Sequence, residues 1–77
     1  MTQEIIPGSL YEHYKGKRYK IVGTARHSET LEEYVVYQAL YETPQFGKDQ
    51  LWIRPKAMFL EEVEVDGKRI PRFKLTK

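Results

Sequence analysis

The 77 residues fit one domain, and they hold 13 Lys and Arg against 11 Asp and Glu with no cysteine. That composition excludes a disulfide scaffold, and a formal charge of +2 falls short of the strong basic bias usual in nucleic-acid modules. A chain this short buries only about 60% of the surface its unfolded form exposes, so its core must come from six Tyr, three Phe and one Trp.

The opening Met1-Thr2-Gln3-Glu4 has no basic region, and no apolar run of secretory or membrane-spanning length follows it. With the lack of cysteine, this predicts a cytoplasmic protein without membrane contact. Residues 1–7 read as a flexible lead-in closed by Pro7-Gly8, and residues 8–77 as a single small β domain.

Leu10-Tyr11-Glu12-His13-Tyr14 and Arg18 to Ala25 flank Lys15-Gly16-Lys17, which supplies a glycine for a tight turn. Tyr19 and Ile21 alternate with Arg18 and Lys20, the period of a half-buried strand, so the two segments predict a hairpin. Polar Arg26-His27-Ser28-Glu29-Thr30 interrupts the pattern.

Leu31 to Tyr41 is ambiguous. Thr30 and Glu33 have capping-box form, whereas Val35-Val36-Tyr37 is β-branched and aromatic. A strand over about residues 33–42 is favoured, with Val36 and Leu40 burying its second face. Residues 43–49 read as a loop and Gln50 to Arg54 as a strand that Pro55 stops. A helical turn with Pro55 at its first position follows. Asp66-Gly67 between strand-like runs predicts a hairpin, with Glu61, Glu62, Glu64 and Asp66 facing the basic block Lys68 to Lys77. Pro71 marks that last strand as a sheet edge. Together these elements predict a mainly β fold: a small SH3-like barrel, or a strongly twisted antiparallel sheet of five to six strands with one short helical turn.

Arg26 to Thr30 places a base, a hydroxyl and a carboxylate in succession. In an extended chain His27 and Ser28 point to opposite faces, which argues against a catalytic triad. His13 and His27 lie without metal-ligand spacing, and the glycines at 8, 16, 23, 47 and 67 form no phosphate loop, so neither metal nor cofactor is indicated. Trp52 and Arg54 share one strand face and suit stacking and anion recognition.

These segments carry a resemblance. Gly8-x-x-Tyr11-x-His13-Tyr14-Lys15-Gly16, Ala25 to Thr30, Leu51-Trp52-Ile53-Arg54-Pro55-x-x-Met58-Phe59 and Pro71-Arg72-Phe73 resemble the bacterial domain-of-unknown-function family 1653. The similarity runs from about Gly8 to Lys74 and implies no assigned activity. Ala39-Leu40-Tyr41-Glu42 also echoes the opening of peptide-binding SH3 domains, but Trp52 follows too soon for their long loop.

The expected function is a non-enzymatic binding module. Arg26, His27, Ser28, Glu29, Thr30, Trp52 and Arg54 would line its surface, with His13 and Tyr14 adjoining. Arg26 and Arg54 would grip a carboxylate or phosphate, and Trp52 would stack. The low net charge favours a protein or peptide partner over single-stranded nucleic acid, and an edge strand offers a route to a homodimer. The rival expectation is a small hydrolase or lyase with His27 as general base.

Overall fold

The computed structural model describes residues 4–77. Alternating side chains along β1 (Leu10–His13), β2 (Arg18–Arg26) and β3 (Glu33–Ala39) sort apolar residues to one face, burying Tyr11, Tyr19, Ile21, Val35, Tyr37 and Ala39. The strand reading of the ambiguous stretch is correct to Ala39, and the chain then bends at Leu40 and Tyr41. Inside the expected loop, β4 (Glu42–Thr43) and β5 (Gly47–Lys48) form a small hairpin instead.

Next comes β6 (Leu51–Pro55), which pairs with β3, and Pro55 is both its last residue and the N-cap of α1 (Lys56–Phe59). The proline therefore precedes the helical turn by one position rather than opening it. It needs no N–H at that junction. The chain continues as β7 (Glu62–Val65) and β8 (Lys68–Pro71), joined at Asp66 and Gly67, both with positive φ, as a two-residue hairpin turn requires. Glu62 and Arg69 bridge this hairpin at 3.1 Å, the expected opposite-charge pairing. The last strand-like run stops at Pro71, and Phe73 instead opens β9 (Phe73–Leu75), which returns to pair with β1.

The main antiparallel sheet has the order β6-β3-β2-β1-β9, beside the two-stranded sheets β4-β5 and β7-β8. It is an open twisted sheet and not a closed barrel. Between Ile21 and Gly23 the register shifts, leaving Val22 as the extra residue of a bulge. A bulge sharpens the local bend and twist. On the inner face the two edges approach: Phe73 from β9 packs against Tyr19 and Tyr37, and stacks on Phe59 of α1 at 4.2 Å and 9°. Tyr11 meets Phe59 edge-on, and Ile5 joins the same core. Aromatic rings thus supply most of the buried volume.

The outer face is less covered than the sequence implies. Val36 is half-buried, and Val22, Leu40, Leu51 and Ile53 are exposed, because α1 and the returning C-terminal segment pack on the inner face. No described helix is long and apolar enough to cross a membrane.

Candidate functional site

Arg26 ends β2, and His27 to Thr30 close the β2-β3 hairpin as a turn, not as extended chain. Alternation therefore does not set the directions of His27 and Ser28, and the reason they form no dyad is different. His27 Nδ1 accepts the backbone N–H groups of Glu29 at 3.1 Å and Thr30 at 3.2 Å. An imidazole that accepts at Nδ1 carries its proton on Nε2, so it has no second lone pair for a general base. Ser28 Oγ donates to Glu29 Oε1 at 2.8 Å, Thr30 Oγ1 accepts the Glu32 N–H, and Arg26 Nη1 donates to the Leu31 carbonyl at 2.7 Å. Leu31, at φ 64°, completes the turn with its N–H on the His27 carbonyl. The conspicuous side chains thus shape their own loop.

A second group gathers where the sheet edges meet. The β3-β6 register sets Trp52 opposite Tyr37 and Arg54 opposite Val35, so both point to the inner face. Trp52 packs against the core and meets Phe46 edge-on at 5.3 Å. Arg54 passes over the Phe73 ring with its guanidinium carbon 5.5 Å from the centroid, and its Nε donates to Tyr37 Oη at 3.4 Å. The register of β1 and β9 sets His13 opposite Phe73, with the two rings 5.0 Å apart. Tyr14 packs beside His13 at 4.6 Å.

His13 also lines a cleft of about 390 Å³ with Glu12, Tyr14, Ile70, Pro71 and Lys74. Its Nδ1 accepts the Lys15 N–H at 3.2 Å. Burial, then the charges of Arg54, Arg72 and Lys15, hold its pKa below the ordinary histidine value. The His13 imidazole therefore resists taking up a proton beside these cations. Arg72 is paired with Glu61 at 3.0 Å, while its Nε is buried without a partner among the described residues, as is Trp52 Nε1.

Of the residues singled out from sequence, the structure brings His13, Tyr14 and Arg54 into one region, with Trp52 farther along the same face of β6. Arg26, His27, Ser28, Glu29 and Thr30 form a separate exposed tip. No hydrogen bond, ion pair or ring contact joins that tip to Trp52 or Arg54 among the described residues. From the tip, the His27 ring meets Tyr34 of β3 at 6.2 Å, and Tyr34 stands opposite Pro55 at the end of β6. Sequence reasoning missed Ile70, Pro71, Arg72, Phe73 and Lys74 as parts of the site. Pro71-Arg72-Phe73 was visible as a motif, but nothing local announces that the chain crosses back to β1 there. No group of three or more His, Asp or Glu side chains suited to a metal occurs among the described residues.

Comparison with known proteins agrees with this architecture. A crystal structure of a protein belonging to the DUF1653 family from Bordetella bronchiseptica superposes with a TM-score of 0.78 at 35% identity, covering 96% of this chain and 90% of that one. No curated protein matches. The family model described as "Protein of unknown function (DUF1653)" matches residues 9–75, and the chain belongs to that family.

Proposed function

We propose that this domain is a non-catalytic binding module that recognises a protein or peptide through a carboxylate taken by Arg54. One observation carries the reading. Arg54 is half-buried and held by the Phe73 ring and the Tyr37 hydroxyl, yet no carboxylate pairs with it among the described residues. Lys56, Arg69 and Arg72 each have an acidic partner, and Arg26 is bonded to its own loop. A guanidinium fixed in place loses little side-chain entropy when a carboxylate arrives, which favours paired hydrogen bonds. Tyr14 and the cleft at His13 would add apolar contact beside the charge.

The hydrolase alternative finds little support, because His27 Nδ1 is occupied by two backbone N–H groups and Ser28 bonds Glu29 instead of a base. Single-stranded nucleic acid would leave a different mark: its affinity would fall steeply with salt through several phosphate contacts. The test is a nuclear magnetic resonance titration with acidic, basic and neutral peptides and with a short oligonucleotide. Shifts at Arg54 and His13 with acidic peptides alone support the reading. Shifts confined to the 26–31 loop, or a stronger response to the oligonucleotide, would replace it.

A further inference from the structure

We infer that the free edge of β6 is a docking strand for an extended partner peptide in which acidic and apolar residues alternate. The inference rests on the carboxylate role proposed for Arg54 and adds how the partner's backbone is held. The Ala39 N–H donates to the Gln50 carbonyl at 2.8 Å, in register with the β3-β6 pairs Tyr37 with Trp52 and Val35 with Arg54. In an antiparallel ladder the bonded pairs alternate, so Gln50, Trp52 and Arg54 turn their backbone groups toward β3. Leu51 and Ile53 turn theirs outward. Sheet order makes β6 an edge, and among the described residues no strand pairs with that outer side. Gln50 Nε2 reaches round to bond the outward Leu51 carbonyl at 2.9 Å, a contact that an incoming N–H would replace.

Side chains on this edge are poorly protected against pairing. Leu51 is 52% exposed and Ile53 64% exposed, both on the outer face, where half-buried Val36 and exposed Val22 continue the apolar surface. Natural edges usually carry charges or prolines that discourage such contacts. Here proline stands only at the end, as Pro55. The opposite face of the same strand presents Arg54. A strand laid along β6 would therefore place apolar residues beside Leu51 and Ile53, and an acidic residue in the alternate position beside Arg54.

Charge complementarity selects this occupant over a second copy of the chain. Two β6 strands paired through Leu51 and Ile53, each Leu51 opposite the other copy's Ile53, would set Arg54 opposite Gln50. No carboxylate would meet the guanidinium.

Amide hydrogen exchange of the whole chain tests the inference with an end-blocked peptide of alternating valine and glutamate. A peptide of alternating valine and lysine is the control. Exchange at Leu51 and Ile53 should slow by about tenfold or more with the acidic peptide only, as ladder formation demands. Arg54→Gln should weaken binding by about ten- to a hundredfold, the range for a lost charge-assisted hydrogen bond. Ile53→Pro removes an outward N–H that no bond to β3 uses, and it should weaken binding while leaving the fold intact by circular dichroism. Shifts at Arg54 and His13 without slowed exchange at Leu51 and Ile53 would overturn strand addition but spare the carboxylate site. No response at Arg54 to the peptide or to acetate would remove both. Protection of those amides that rises with protein concentration, before peptide is added, would assign the edge to a second copy and overturn the inference.

Discussion

The Arg54 guanidinium lies 5.5 Å from the centre of the Phe73 ring, although these residues belong to opposite edges of a five-stranded sheet. Flat strands in that order would keep three strands between them. The bulge at Val22 and the twist of the sheet bring the edges face to face, so one cation–aromatic contact closes a structure that lacks a barrel's last row of backbone bonds. In this position Arg54 is also the leading charge acting on His13.

Replacing Arg54 by methionine keeps the bulk over Phe73 and removes the charge. The His13 pKa should rise toward the ordinary histidine value, because Arg54 is the leading charge that depresses it. The rise should be incomplete, since burial is the larger cause and Arg72 remains. A pH titration of the His13 ring protons checks this, and an unmoved midpoint would refute the coupling.

Stability should fall on acidification through the histidine range. The folded His13 pKa is depressed, so below the ordinary value the unfolded chain binds a proton that the folded chain resists. The contribution is complete above the ordinary histidine pKa and is lost as pH falls toward the folded one. Urea midpoints measured from about pH 7.5 down to about pH 5 should drop, and more shallowly in His13→Phe.

Tyr19 and Tyr41 share a hydroxyl hydrogen bond of 2.8 Å, and burial followed by that bond pushes the Tyr19 pKa above its usual value. Tyr19→Phe should cost about 1 kcal/mol, the ordinary worth of one such bond, in urea denaturation. For Tyr19 the unfolded chain loses its proton first, so its contribution falls as pH rises through the usual tyrosine range. The Phe variant should lose less stability in alkali.

His27→Asn places an acceptor oxygen close to the position of Nδ1, whereas His27→Ala leaves the Glu29 and Thr30 N–H groups to solvent. The alanine variant should lose about 1 kcal/mol, as a lost cap does, and the asparagine variant should recover most of it. Equal losses in thermal or urea unfolding would show that the imidazole acts by something other than this turn.

Much of the strand content is legible locally. Tyr19 and Ile21 alternate with Arg18 and Lys20, Asp66-Gly67 supplies the positive φ that a two-residue hairpin needs, and Val35-Val36-Tyr37 prefers extended chain. The parity that puts Trp52 and Arg54 on one face is also written in the sequence, because side chains in a strand alternate by geometry alone. The polar run Arg26 to Thr30 stands out equally, but composition cannot tell whether its groups face a ligand or each other.

What the tertiary structure alone decided was which edges meet. Residues 73–75 have no strong local signal, and they become a strand only because β1 offers an unpaired edge and the inner face has room for the Phe73 ring. That long-range pairing brings His13 and Arg72 within electrostatic reach of Arg54 and leaves Leu51 and Ile53 on an open edge. Local preferences act over a few neighbouring residues, whereas pairing between strands some sixty residues apart is chosen by the burial of the whole core.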